Sequence, residues 1–273
     1  CALESRHLGL VTADEVAGLK EKLKKLAAQA ERTIDLTGLL ALAASAPDLN
    51  AGPLDLPEPV EGGPVIAVAR DKAFCFYYAD GLELLERLGA RLVEFSPLED
   101  QSLPEGACGL YLGGGYPELL AEQLSQNTAM LSAIRNAVAN GLPTVAECGG
   151  FLYLHETLED ADGRDWSMAG VIPGRAWNTG RLGRFGYVTL TARTSGLLCQ
   201  VGEELSAHEF HYWDSQHPGD SFRAQKPLSN RGWDCGVHTP TLYAGFPHFH
   251  FCARPEMARN FVAAARRRQE ALL

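Results

Sequence analysis

The chain has 273 residues, is 46% hydrophobic and carries a net charge of −10. That is enough apolar material for one large domain with an extra segment, or for two small domains. Apart from Arg266-Arg267-Arg268 it has no basic run, which disfavours a nucleic-acid partner, because phosphate contacts dominate such binding. No apolar stretch reaches the ~18 residues of a membrane-crossing helix, and the N-terminus lacks the charged-then-apolar pattern of a signal peptide. Seven cysteines (Cys1, Cys75, Cys108, Cys148, Cys199, Cys235, Cys252) are odd in number, widely spaced and without a Cys-x-x-Cys pair. This is the usage of reduced thiols in a cytoplasmic protein rather than of a disulfide framework.

The first 46 residues read as helical. Thr12 with Glu15 three positions later has the form of a capping box, and Leu19, Leu23 and Leu26 follow as an apolar stripe of helical spacing. "DLTGLLALAASAP" reads as a second short helix. The preceding "RHLGLV" is strand-like and has no partner strand nearby. A chain opening at Cys1 on such a segment reads as the truncated tail of a preceding domain. Residues 47–64, "PDLNAGPLDLPEPVEGGP", hold five prolines and three glycines, a density that no packed element survives; 47–63 is therefore a linker.

From residue 64 the pattern becomes strand ("VIAVAR"), helix ("YYADGLELLERLG"), strand ("ARLVEFSP"), strand ("ACGLYLGGG"), helix ("PELLAEQLSQNTAMLSAIRNAVANG"), strand ("LPTVAE") and helix ("GGFLYLHETL"). This alternation predicts an α/β domain with a mainly parallel sheet and flanking helices. The last third reads as further strands and loops, closed by a helix over "PEMARNFVAAARRRQEALL".

The chemistry concentrates at "VAECGGFLYL". Cys148 falls where a strand ends and a helix begins, at the sheet end where ligands of open α/β folds sit. Gly149 and Gly150 permit a sharp turn and close backbone approach. A helix N-terminus favours a thiolate and then an oxyanion. Glu147 opposes this if it lies near the sulfur, and is expected to point elsewhere and bond the backbone. The other six cysteines read as structural. Candidate bases are His208 and His211 of "AHEFHY" and His248 and His250 of "GFPHFHF". His208-Glu-Phe-His211 is not the HExxH pattern and His-x-His offers no clear third ligand, so no metal site is expected. Gly113, Gly114 and Gly115 follow a strand as an oxyanion loop would. No GxxxxGK[ST] phosphate loop occurs, so no cofactor-binding residues are assigned.

With these residues in view, 64–262 resembles the class I glutamine amidotransferase family, a flavodoxin-like α/β fold. The marks are the Gly114-Gly115 loop, the Cys148 elbow and the late His248. "LGGGYPE", "AECGGFLYL", "MAGVIPG", "GRFGYVTL", "HEFHYWDS" and "AGFPHFHF", in that order, are similar to the branch that amidates the a and c carboxylates of cobyrinic acid in cobalamin biosynthesis. Residues 1–46 resemble the end of the ATP-dependent synthetase domain of that branch, followed by the linker at 47–63 and the glutamine amidotransferase domain at 64–273.

The resemblance implies Cys148 as nucleophile, His248 as general base, and Gly114 with the Gly149 N–H as the oxyanion hole. His250 stands where an orienting residue would. It implies glutamine and a corrinoid as substrates, with ATP and Mg²⁺ bound by the synthetase domain outside this chain, and leaves room for a homodimer. Two departures stand out: His-Phe-His replaces the His-Pro-Glu of many relatives, and the phosphate loop is missing. A related tetrapyrrole acceptor (nickel sirohydrochlorin or cobyric acid), a non-catalytic binding or assembly module, and another cysteine hydrolase on the same fold are the competing readings.

Overall fold

The computed structural model describes residues 2, 3, 5, 6, 9–49, 52 and 55–272, and the chain divides into two units, Cys1–Asp55 and Leu56–Leu273. The first unit holds two helices, Leu19–Thr33 and Leu36–Ala44. The second of these is capped by the Asp35 carboxylate, which accepts from the Gly38 N–H. The first starts later than its sequence suggests. Thr12 turns its hydroxyl to the Glu15 carboxylate and caps no backbone N–H. Ala13–Glu15 forms only a 3₁₀ turn, and the helix begins behind Gly18 at φ +65°. The strand-like opening is not partnerless: Ser5–Arg6 pairs antiparallel with Gly9–Leu10. Cys1, His7 and Leu8 lie outside the described residues, as do residues 50, 51, 53 and 54 of the proline-rich segment.

Three strands of the second unit, Val65–Ala69, Thr144–Glu147 and Leu242–Gly245, are buried at every residue. β1 (Val65–Ala69) sends Ile66 and Val68 into one core cluster and Ala67 and Ala69 into the other, as the two-residue repeat of a strand covered on both faces requires. In chain order there follow α1 (Ala79–Arg87), β2 (Arg91–Phe95), β3 (Ala107–Leu112), α2 (Thr128–Ala139), β4 (Thr144–Glu147) and α3 (Gly149–Tyr153). After these come β5 (Arg184–Ala192), β6 (Glu204–His211), β7 (Leu242–Gly245), β8 (His248–Phe249) and α4 (Pro255–Glu270).

The central sheet runs β7-β4-β3-β1-β2 with all five strands parallel, and the short strand Val237–His238 adds antiparallel to β7 at the edge. Counted by appearance in the chain, the parallel strands lie in the order 2-1-3-4-5, the flavodoxin-like order. Leu84, Leu85, Phe261 and Val262 from α1 and α4 share one core cluster, and Ile134 and Phe151 from α2 and α3 the other, so helices cover both faces.

The last third forms two more sheets. One is antiparallel, in the order Gly232–Cys235, Phe222–Gln225, β5, β6, β8. The other joins Asp165–Ser167, His155–Glu159, Ile172–Asn178 and Trp213–Ser215.

Two helices differ from expectation. The segment after Pro117 is not continuous: it breaks at Asn127, whose side-chain oxygen caps the Met130 N–H while its amide donates to the Pro97 and Asp100 carbonyls. The helix after Cys148 stops at Tyr153, and His155–Glu159 turns into a strand paired on both sides. Pairing with residues downstream overrides the local helical pattern there. Among the described residues no helix is long and apolar enough to cross a membrane.

Candidate active site

Three adjacent parallel strands, β3, β4 and β7, release their chains at the same sheet end, and each delivers a candidate residue within three positions. Gly114 follows β3, Cys148 follows β4 and His248 follows β7.

At the elbow, Cys148 is the one non-glycine with a positive φ among the described residues, +47° with ψ −97°, a conformation costly for a side chain and typical of a nucleophile turn. The turn is locked by backbone bonds. The Cys148 N–H donates to the Gly245 carbonyl at 2.8 Å, the Gly150 N–H to the Gly113 carbonyl at 2.9 Å, and the Leu152 N–H to the Cys148 carbonyl at 2.9 Å. Only glycine fits behind the sulfur: a Cβ at Gly150 would lie 2.1 Å from the Leu112 carbonyl oxygen, and one at Gly149 would lie 2.9 Å from the Gly115 nitrogen.

His248 meets this turn across Gly114. A Cβ on Gly114 would stand 2.6 Å from His248 Cε1 and 3.5 Å from Nε2, so that ring edge faces the glycine loop. The other ring nitrogen, Nδ1, faces Glu147 Oε2 at 3.9 Å. Glu147 is 2% exposed. Its Oε1 accepts the Phe249 N–H at 2.9 Å, and its Oε2 accepts the Tyr111 hydroxyl at 3.0 Å. As expected it bonds the backbone, and the backbone it holds is the strand of His248. Tyr77 steadies the loop from the other side: its hydroxyl accepts the Gly113 N–H at 3.0 Å and donates to the Ala69 carbonyl. Tyr243 donates to the Pro247 carbonyl at 2.9 Å, fixing the approach to β8.

Electrostatically the pair rests neutral. Burial pushes the Cys148 thiol well above its ordinary value, and the carboxylates of Glu118, Glu147 and Glu209 add to this; the Gly149 N–H pulls the other way. The thiolate expected from a helix N-terminus is therefore not the resting form. α3 has five residues, too few to build a strong dipole, and desolvation wins. Burial also lowers His248 to about 4, with His208 and His211 contributing. An unprotonated imidazole and a protonated thiol, on either side of the Gly114 loop, have the proton inventory for general-base attack, in which thiolate forms only as the bond is made.

The remaining histidines sit elsewhere. His208 is the cross-strand partner of His248 and packs edge-on against Phe185 and Tyr187. His211 is stacked on Phe246 at 3.8 Å and bonds the Trp213 carbonyl through Nδ1. His250 turns away: its Nε2 bonds Asp80 Oδ2 at 2.9 Å, and its ring lies edge-on to Tyr78. The carboxylate that faces His248 Nδ1 is Glu147. Asp80, His250 and Cys252 do bring three ligand atoms within 4.8 Å of one another.

A cleft of about 340 Å³ lined by Tyr78, Tyr187, His208, His248 and His250 opens onto the base. A second, of about 440 Å³, is lined by Arg181, Arg184, Arg231, His211 and Asp214. Beside it Arg184 Nη1, Glu209 Oε2 and His211 Nε2 are buried without a hydrogen-bond partner. Sequence reasoning missed Tyr77 and Tyr111, whose only signal there is that of core aromatics.

Residues 65–256 match the model of the CobB/CobQ-like glutamine amidotransferase domain. The chain belongs to that family. This glutamine amidotransferase domain is 42% identical over 275 residues to the cobyrinate a,c-diamide synthase of Salmonella typhimurium, a match spanning 97% of this chain and 59% of that protein. It is 39% identical over 264 residues to the enzyme of the same name from Caldanaerobacter subterraneus subsp. tengcongensis, spanning 95% of this chain and 58% of that protein. The chain thus spans less than two thirds of the curated relatives it matches. Its fold is shared with a crystal structure of a glutamine amidotransferase (TM-score 0.52, 17% identity, 73% of this chain and 98% of that one). It is shared equally with PurLQS from Thermotoga maritima (TM-score 0.52, 15% identity, 76% and 99%).

A buried, protonated thiol reacts slowly with small alkylating agents, which need thiolate, whereas a glutamine-shaped electrophile is delivered by the site. Iodoacetamide is therefore expected to modify the part-exposed Cys75 and Cys252 before Cys148, and a diazo-ketone glutamine analogue to modify Cys148 first. Mass spectrometry after limited labelling reads both orders. Diazo-ketone labelling that prefers Cys75, Cys108, Cys199, Cys235 or Cys252 removes Cys148 from the site.

Proposed function

We propose that this chain is the glutamine-hydrolysing part of a cobyrinate a,c-diamide synthase, with Cys148 as nucleophile, His248 as general base, and the backbone N–H groups of Gly114 and Gly149 as the oxyanion hole. The observation that carries the reading is the convergence of Gly114, Cys148 and His248 beyond the ends of β3, β4 and β7, in a chain whose relatives at 36–42% identity bear that name.

Glutamine's carboxamide carbon is attacked by Cys148 Sγ as its proton passes to His248. The oxyanion is held by the glycine N–H groups. The tetrahedral intermediate collapses with His248 returning the proton to the departing nitrogen, so ammonia leaves and a γ-glutamyl thioester remains. Water, deprotonated by the same imidazole, releases glutamate and restores the thiol.

In this reading residues 1–46 are the end of an ATP-dependent synthetase domain, 47–63 the linker and 64–273 the glutaminase domain of a cytoplasmic enzyme. The ammonia amidates the a and c carboxylates of cobyrinic acid. ATP and Mg²⁺, which activate those carboxylates, are assigned to the part of the protein this chain does not span. The glycine loop is a poor phosphate cradle, because the Gly113 N–H is already taken by the Tyr77 hydroxyl and no lysine of a GxxxxGK[ST] pattern follows.

The test is acceptor choice. The full-length protein, given glutamine, ATP and Mg²⁺, is expected to convert cobyrinic acid to its a,c-diamide, followed by chromatography of the corrinoid. Turnover of nickel sirohydrochlorin or cobyric acid in its place sinks the assignment of acceptor while leaving the glutaminase chemistry standing.

A further inference from the structure

The residue two positions after the candidate base is His250, and it is engaged with Asp80. The carboxylate that faces His248 comes instead from the residue before the nucleophile. We propose that Glu147 is the positioning carboxylate of His248, so that one strand end, Glu147-Cys148, supplies both the nucleophile and the group that orients its base. This rests on the glutaminase reading above.

Two contacts support it. Glu147 Oε1 accepts the Phe249 N–H at 2.9 Å, which anchors the backbone of β8 at the end of β4. Glu147 Oε2 lies 3.9 Å from His248 Nδ1, while the Cε1–Nε2 edge of the ring faces Gly114. Nδ1 toward a buried carboxylate, with Nε2 on the edge that faces the glycine loop, matches a catalytic triad, in which the second nitrogen serves the reacting atoms. The separation is too long for a hydrogen bond in the resting neutral pair. It falls in ion-pair range once His248 takes the thiol proton, so the carboxylate favours the imidazolium over the imidazole at the moment the thiolate attacks. Tyr111 donates to the same Oε2, which keeps that oxygen aimed and its charge in place.

This arrangement sets a pH dependence. Burial raises the Glu147 carboxyl to about 7, against the opposing bonds from the Phe249 N–H and the Tyr111 hydroxyl. The groups facing it titrate far away. Burial raises Tyr77, Tyr78, Tyr111 and Tyr243, and Glu147's own charge raises them further. Burial holds Cys148 up in the same way. His248 is lowered to about 4, with His208 and His211 on its other side. A group raised to about 7 is charged above that pH and neutral below it. Glutaminase activity therefore falls as pH drops through about 7, where Glu147 loses its charge, well before His248 itself is protonated.

The experiment measures glutamate release and ammonia-dependent amidation by the full-length protein over pH 5–9. Glu147→Gln keeps an oxygen for the Phe249 N–H and removes the charge. It is expected to lower kcat for glutamine by about 10-fold or more, part of the ~10²–10⁴ that a general base supplies. KM for glutamine and ammonia-dependent amidation should stay unchanged, and the activity loss near pH 7 should vanish. Tyr111→Phe removes one of the two bonds that lower the carboxyl, leaving that of the Phe249 N–H, and is expected to move that loss to higher pH; it decides the matter if Glu147→Gln does not fold. A Glu147→Gln protein with the wild-type kcat and pH profile overturns the proposal, as does a Tyr111→Phe profile that does not move. A wild-type protein that releases no glutamate, yet amidates with ammonia, fails the glutaminase reading itself.

Discussion

Cys148→Ala in the full-length protein is expected to abolish glutamine-dependent amidation, by a factor on the order of 10⁴ or more, and to leave amidation with free ammonia intact. In the proposed reaction the sulfur carries the γ-glutamyl group, and no neighbouring group can replace it: the flanking positions are Glu147, which is buried and bonded, and glycines with no room for a side chain. The substitution removes one buried atom, and the turn is held by backbone bonds from Cys148, Gly150 and Leu152 that alanine retains. The elbow should thus keep its shape while losing its chemistry. Chromatography of the corrinoid with each nitrogen source reads the result. Residues 1–273 alone are expected to amidate nothing even when ammonia is supplied, because activation of a carboxylate needs the ATP site placed outside them. Glutamine-driven product from Cys148→Ala would unseat the nucleophile, and ammonia-driven product from the isolated chain would unseat the division of labour.

The second large effect is expected from His248→Ala, a loss of on the order of 10²-fold or more in glutamate release. Because burial and three carboxylates hold the thiol up, little thiolate is expected to carry residual turnover when the base is gone. The pH profile should show this too: activity of His248→Ala should rise with pH through the whole accessible range, as hydroxide replaces the imidazole. His250→Ala is expected to cost far less, since its ring sits part-exposed against Tyr78 and Asp80. Steady-state assays of both variants side by side measure the contrast. If His250→Ala is the more damaging, the roles of the two histidines are exchanged.

Much of this architecture is legible in the residues because the inner parallel strands are buried on both faces and read as short β-branched or small apolar runs. "VIAVA" and "TVAE" need no partner to be recognised, and the glycines after Cys148 announce a turn that only they can make. Less legible is whatever a distant segment decides. His155–Glu159 carries a helical pattern and becomes a strand because residues 165–167 and 172–176 arrive to pair with it. The break at Asn127 follows from a side chain bonded to residues 97 and 100. Glu147 was visible as a neighbour of the nucleophile, but its bond to Phe249 spans 102 positions and leaves no trace in local spacing. The neutral resting thiol was hidden as well: a helix N-terminus is apparent from sequence, whereas the burial that outweighs it belongs to the assembled core.

Residues 248–251 read His-Phe-His-Phe, and β8 pairs with β6 through only two positions, Ala207↔Phe249 and His208↔His248. A slide of one residue would turn the imidazole to the wrong face, but a slide of two puts every side chain type back on its face, with His250 opposite His208 and Phe251 opposite Ala207. Pairing alone does not tell the two alignments apart. What does is the short span from Gly245 to His248, two residues pinned where Tyr243 bonds the Pro247 carbonyl. The loop, not the strand, is the ruler of this site. Two residues inserted after Gly245 would slacken that ruler and leave His248 and His250 to compete for the place opposite His208.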